Sequence, residues 1–408
     1  MLNFTQYIVE SKNTHMEHIE DMIFNDGVDG ARLAITSLQR LRNMLAGNAT
    51  KEFDITVKWD GAPAIFAGID PSDGKFFVAK KGIFNKTPQL FKTEKDINAA
   101  MSGDLAVKFK YALKEFSKLG IKTGVYQGDL MFTKGDLKKE SHDGVDYLTF
   151  QPNTIVYAVE KNTHLGKAIA RAQIGVVWHT TYTGRTLETM KASFGKSIVS
   201  KMKSVPSIWM DDANYRDQSG KATFTKQETG EVTKYLSTAG KLLNKLPAEF
   251  LNLIANDDEV KGRVKTFLNK YVREGTPFPD PQQMSEDLYN HVVDYYKQQA
   301  DKAKTERGKQ SVSDKQSRVM QVLSRPSELT SLFDFFNSTV QAKLMIINKL
   351  HKAEGLGTFL RTANGLRVTD REGYVAIDKL KGGAVKLVDR LEFSKANFSS
   401  DVLKGWQK

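Results

Sequence analysis

An α+β fold is predicted, from three observations. Short β-type runs fill the chain from Phe53 to Tyr182, only amphipathic helical patterns occupy 191–345, and β-type runs resume at Gly373. The chain therefore divides into a helical N-terminal segment (1–50), the first part of a sheet domain (51–190), an all-helical insertion (191–345) and the second part of the sheet domain (346–408).

Each element follows from local pattern. Ile19, Met22, Ile23, then Leu33, Ile35, Leu38, Leu41 and Leu45 recur at helical spacing, and Asn25-Asp26-Gly27 breaks them into two short helices. Ile55-Thr56-Val57, Ala64-Ile65-Phe66-Ala67, Phe76-Phe77-Val78-Ala79 and Val125-Tyr126 read as strands, with Asp70-Pro71-Ser72-Asp73-Gly74 as a turn. One helix, about 104–119, interrupts them, and the strands 154–159 and 174–182 follow. The insertion carries groups such as Val264, Phe267, Leu268 and Tyr271, with breaks expected at Pro277-Phe278-Pro279-Asp280-Pro281 and in the polar run 302–315. Strands return at 373–377 and 384–388, and no internal repeat is found.

With 40% hydrophobic residues and a mean hydropathy of -0.43, the 408-residue chain is not a disordered one. No apolar run is long enough for a membrane span, and the first residues lack the pattern of an export signal. The absence of cysteine excludes disulfides, thiolate zinc sites and thiol catalysis, so a metal would be held by oxygen or nitrogen and would be a hard, Mg²⁺-like ion. The net charge of +12 favours a polyanionic partner. It is spread as +3, +4 and +5 over 1–193, 194–345 and 346–408, which describes folded surface rather than a basic arm.

Chemistry concentrates at Val57-Lys58-Trp59-Asp60-Gly61-Ala62-Pro63-Ala64. A lysine at the end of a β-run, followed by Asp-Gly, sets an amine at a turn where backbone can approach a ligand closely. To act as a nucleophile it must lose its proton. Lowering its pKa from about 10.4 to about 7 takes roughly 4–5 kcal/mol of environment, which burial and neighbouring cations supply. Read alone, the same letters describe a surface turn with a solvated lysine.

Three further segments follow in order: Val125-Tyr126-Gln127-Gly128-Asp129-Leu130-Met131, Arg371-Glu372-Gly373-Tyr374-Val375-Ala376 and Ala384-Val385-Lys386-Leu387-Val388. With Lys58-Trp59-Asp60-Gly61 this set resembles the covalent nucleotidyltransferase superfamily of ATP-dependent DNA and RNA ligases and mRNA capping enzymes. The resemblance covers about 53–190 and 346–395. It implies an antiparallel-sheet ligase adenylation domain in which Lys58 attacks a nucleotide α-phosphate. It further implies that Asp60, Gly61, Asp129, Glu372 and Lys386 surround the nucleotide, with Asp129 and Glu372 holding Mg²⁺ or Mn²⁺. Lys386 would neutralise the α-phosphate. The basic residue before Gly82 that such RNA ligases carry is Lys81, with Lys80 as the alternative. The base-stacking aromatic is sought among Tyr157, Trp178 and His179, with Trp178 assigned.

Departures from the family pattern are Pro63 where Arg is usual, Asp129 where Glu is commoner, and Val388 in place of a second lysine, near Arg390. The 22 residues after Lys386 are too few for an appended oligonucleotide-binding barrel, which favours the RNA-ligase arrangement. The expected activity is ATP-dependent sealing of RNA or DNA ends carrying a 5′-phosphate. The alternatives are an inactive nucleic-acid binder of the same fold and a nucleotidyltransferase that modifies a protein.

His15, His18 and Asp21 would align on one face of a helix as a metal or phosphate site, although Asn13 or Thr14 capping that helix explains the same letters. This opening, with Val57 to Ala64, resembles nucleotidyltransferase-like proteins of T4-like tailed phages, which implies the cytoplasm of an infected bacterium or packaging in a virion.

Overall fold

The computed structural model describes residues 17–47, 53–142, 144–194, 197–213, 223–351, 356–363, 365–378 and 384–405. Helix Met22–Leu45 comes first, and Gly27, at φ 55°, redirects it where the sequence predicts a break. The strands are β1 Phe53–Lys58, β2 Ala64–Ile69, β3 Phe76–Ala79, β4 Val125–Thr133, β5 Lys138–His142, β6 Val145–Phe150, β7 Ile155–Glu160, β8 Ile174–Thr183, β9 Lys191–Phe194, β10 Ile208–Asp212, β11 Gly357–Thr362, β12 Gly365–Val368, β13 Gly373–Asp378 and β14 Ala384–Leu387. Helices Glu94–Ala100 and Gly103–Phe116 separate β3 from β4, and six helices fill Lys226–Leu350. The fold is therefore mixed α and antiparallel β.

Strands continue through β9 and β10, so the expected start of the helical stretch at 191 falls too early. The polar run 302–315 does hold a break, but only at residues 303–305, between helices Pro281–Lys302 and Glu306–Leu323; the rest of it is helical. Thr305 accepts a hydrogen bond from the Gly308 N–H at 3.1 Å and starts the helix Glu306–Leu323. Pro281 does open a helix, capped by Asp280.

Three sheets result, with strand orders β1-β13-β14, β10-β8-β4-β2-β3 (β9 beside β8) and β12-β11-β7-β6-β5. Every pairing is antiparallel except β10 with β8. The second sheet is covered on both faces, which is why β8 is buried along most of its length and its first half, Ile174 to Trp178, is apolar throughout. Ile65, Val78, Leu130, Val176 and Trp178 pack under helix Gly103–Phe116, while Met131, Phe132 and Val177 meet Phe150, Ile155 and Tyr157 of the third sheet.

The first sheet is covered differently. Ile55, Val57, Tyr374, Ala376, Val385 and Leu387 share one face and pack against helices Met22–Leu45, Lys226–Lys245 and Pro326–Leu350. Alternation along the strands sends Thr56, Lys58, Val375 and Lys386 to the opposite face.

A buried ionic network ties this helical layer to the chain's beginning and end. Lys343 of helix Pro326–Leu350 donates to Glu20 at 2.6 Å with both side chains 1% exposed, and Arg390 donates to Asp21 at 3.0 Å and to Asn269 at 2.5 Å. Removing one partner leaves a charge buried alone, at a cost of about 3–5 kcal/mol. Lys343→Met is therefore expected to lower unfolding stability by about that amount in a urea titration, and adding Glu20→Gln is expected to restore much of it. A Lys343→Met protein as stable as wild type would contradict the buried pairing.

Candidate active site

Lys58 is the last residue of β1, and its amine donates a hydrogen bond to Glu372, the residue before β13. Antiparallel register puts Lys58 opposite Gly373, so backbone pairing itself brings the carboxylate to the amine. Gly373, at φ 151°, has no room for a side chain: a Cβ would stand 2.3 Å from the Leu387 carbonyl oxygen.

The turn after Lys58 touches all three sheets. Asp60 is 4% exposed, and its carboxylate accepts hydrogen bonds from the Thr154 and Ile155 N–H groups and from the Asn153 amide, each at 2.7 Å. Its own N–H donates to the Tyr157 hydroxyl at 2.8 Å. Asp60 therefore anchors the turn in the third sheet, and its carboxylate faces protein rather than a ligand. Gly61 lies against the second sheet, where a Cβ would be 2.5 Å from Asp129 Cβ. The Ala62 N–H donates to Leu130 O at 3.0 Å, and the Leu130 N–H to Pro63 O at 3.1 Å.

Asp129 is thereby placed beside Lys58. Burial pushes its carboxyl up to about 7, opposed by Lys58 and reinforced by Asp60. Glu372 is pushed up to about 7 by burial too, against the pull of Lys58 and Lys386. Lys386 projects from β14 on the same face as Lys58, and burial, then Lys58, holds its amine below the usual lysine value. Two carboxyls poised near neutrality beside two lysines are the pattern expected of groups that exchange charge with a ligand.

The aromatic assignment is corrected. Trp178 is wholly buried on the helical side of the second sheet, packed on Phe116 at 5.3 Å, and is not available to a nucleotide base. Tyr157 is also core, stacked on Phe150 with its hydroxyl committed to Asp60. His179 is the aromatic at the site. Gly128 pairs with Trp178 but Gln127 with Thr180, so His179 is the extra residue of a bulge, which brings its Nε2 to 3.9 Å from Asp129. Burial and Lys58 lower its pKa to about 4, so the ring is neutral.

Lys81 is exposed in the turn after β3. It follows β3 at the end of the sheet that carries Ala64 and Asp129, two strands across from Asp129, and no hydrogen bond or ion pair ties it to the Lys58 cluster. A small crevice, no larger than a water molecule, lies beside Lys58 between Trp59, Tyr157, Leu356, Thr358 and Arg371.

Among the described residues, no group of three or more His, Asp or Glu gathers as a metal cage. Mg²⁺ does not require one, since it keeps water and binds through one or two carboxylates together with phosphate oxygens. Asp129, which accepts no hydrogen bond from the described residues, and Glu372, bonded to Lys58, are the carboxylates such an ion would draw on.

Of the N-terminal motif, His15 lies outside the described residues. His18 and Asp21 are not aligned on a helix: His18 is extended and pairs with Lys386, while Asp21 is bound to Arg390. Sequence reasoning missed this strand addition, because nothing local to residues 17–18 names a partner more than 360 positions away.

The profile of one protein family, described as a family of unknown function (DUF6267), matches residues 13–402. The chain belongs to that family. No curated protein and no solved structure matches this DUF6267 chain. Among its described residues no helix is long and apolar enough to cross a membrane.

The raised pKa of Asp129 gives a pH dependence with a definite sign. An unfolded aspartate titrates near 3.9, so its folded-state contribution is fully present below that and is lost as pH rises towards about 7. Asp129→Asn is expected to unfold at higher denaturant than wild type at pH 8, by about 2–4 kcal/mol, with the gap closing towards pH 4. A gap independent of pH would contradict the burial of a titrating carboxyl.

Proposed function

We propose that this chain is a covalent nucleotidyltransferase that uses ATP to join polynucleotide ends, with RNA bearing a 5′-phosphate as its substrate. The observation that carries the reading is the contact between Lys58 and Glu372 at the junction of sheets, with Asp129 and Lys386 acting on the same amine. The mixed antiparallel fold, with Lys58 at the end of a strand, agrees with a ligase adenylation domain. The four ordered motifs are the other support.

Neutral Lys58 Nζ attacks the α-phosphorus of ATP. An N–P bond forms, the bond from phosphorus to the bridging oxygen breaks, and pyrophosphate leaves with the electron pair. The proton lost by Nζ passes to the Glu372 carboxylate, whose pKa near 7 suits it to accept and return a proton at neutral pH. Lys386 neutralises charge growing on the phosphate oxygens. A Mg²⁺ ion held by Asp129 and Glu372 would supply further charge neutralisation along the triphosphate. An oxygen of the acceptor's 5′-phosphate then displaces Lys58 from phosphorus, and a 3′-hydroxyl attacks the activated phosphate, joining the ends and releasing AMP. His179, neutral and beside Asp129, is the side chain placed to meet the base. The cytoplasm of a phage-infected bacterium is the compartment that fits this substrate pair.

Incubation with α-labelled ATP and Mg²⁺ is expected to leave label on the denatured protein. Lys58→Ala abolishes it, and Glu372→Gln slows labelling by about 100-fold or more. Chasing with 5′-phosphorylated RNA is expected to discharge the label, whereas discharge only to DNA or to a host protein would reassign the acceptor. No label on wild type, or equal label on Lys58→Ala, would overturn the reading in favour of a binding protein.

A further inference from the structure

The short segment ahead of the first helix adds itself to the open edge of the first sheet. The Lys386 N–H donates to the Glu17 carbonyl at 3.3 Å, and His18 pairs in parallel register with Lys386. Lys386 lies opposite Val375, and Val375 opposite Thr56. Residues paired in register point to the same face of a sheet, so His18, Lys386, Val375 and Thr56 form one transverse row, next to Lys58. The N-terminal segment thus delivers an imidazole to the face where the nucleophile stands.

What surrounds that imidazole is incomplete. His18 Nδ1 is enclosed and has no hydrogen-bond partner among the described residues, an unfavourable state that a ligand would relieve. Lys386 makes no ion pair among the described residues. The nearby acids are already committed, Glu20 to Lys343 and Asp21 to Arg390. Lys386, Arg390 and Lys343 all bear electrostatically on His18, with Glu20 the one opposing charge, and burial together with these cations holds the ring neutral. Two neighbouring nitrogen groups with an excess of positive charge around them, each lacking a hydrogen-bond or ion-pair partner among the described residues, suit an anion with several oxygens.

We propose that His18 and Lys386 form a subsite for a diphosphate group, holding the terminal phosphates of the nucleoside triphosphate and then the departing pyrophosphate. The inference rests on the nucleotidyltransfer reading and extends it, because it makes the N-terminal segment part of the site. A group bound there would lie on the Lys58 face of the sheet, with Lys386 between it and the α-phosphate, so that pyrophosphate is received as the N–P bond forms.

The test uses the full chain and separates this claim from the one on which it rests. In wild type, pyrophosphate added to the labelled adduct regenerates labelled ATP. His18→Ala is expected to raise the KM for ATP in labelling and for pyrophosphate in the reverse reaction by about tenfold or more, as loss of one charged hydrogen bond implies. Sealing of RNA that already carries the 5′-adenylyl group, which bypasses that subsite, is expected to change less than twofold. His18→Gln, which keeps a donor amide, is expected to recover part of the loss and also serves if the alanine variant folds poorly. Unchanged KM values in both variants, with wild type forming the adduct, would overturn the subsite and leave the nucleotidyltransfer reading standing. Should wild type form no adduct, titration calorimetry with inorganic pyrophosphate still decides: binding weakened in His18→Ala and His18→Gln supports the subsite, and absent or equal binding overturns it.

Discussion

The carboxylate of Asp60 is the constraint on which the arrangement depends. Three donors from the turn between β6 and β7 fill it, and its backbone N–H reaches Tyr157, so the residue two places after Lys58 is fixed to the third sheet. Gly61 then lets the chain lie directly on Asp129 in the second sheet, while Lys58 itself is paired in the first. One five-residue connection, 59–63, thus knots three sheets together and sets an amine at their meeting point. Burial raises the Asp60 carboxyl against the pull of its hydrogen bonds, which marks it as a group held by structure.

Electrostatics follow from that placement. Glu372 is buried and Asp129 half-buried near the same amine; desolvation favours their neutral forms, while Lys58 favours their ionised forms. The cluster is internally opposed: removing the lysine's proton and loading the carboxylates with a cation relieve the opposition together. On the proposed reading, a polyanionic substrate and its counter-ion would shift these charge states on binding. The helical layer contributes by burying the far face of the first sheet, which leaves Lys58 and Lys386 on the other face.

Much of this was legible in the chain. Ile55 to Val57, Ala64 to Ala67 and Phe76 to Ala79 alternate or run apolar because they are covered, and Asp26-Gly27 marks a change of direction that only glycine accommodates at its φ. The lysine, its glycine and the two carboxylates were readable as motifs, and the structure brings Lys58, Glu372, Asp129 and Lys386 together. Polar strands such as β5, Lys-Lys-Glu-Ser-His, were not legible, since their pairing depends on the neighbour and not on their own pattern. The exchange of Trp178 for His179 was hidden for a related reason: strict alternation cannot reveal a bulge. The role of Asp60 was concealed because an acid in a turn reads the same whether it faces solvent, ligand or three buried donors.

The central claim is that Lys58 is a nucleophile, and peptide mapping by mass spectrometry tests it most directly. After incubation with ATP and Mg²⁺, the account requires a peptide spanning Lys58 whose mass is increased by one adenylyl group, with fragmentation placing the addition on that lysine. An unmodified Lys58 peptide under the same conditions, or an adenylyl group on a different residue, would contradict it.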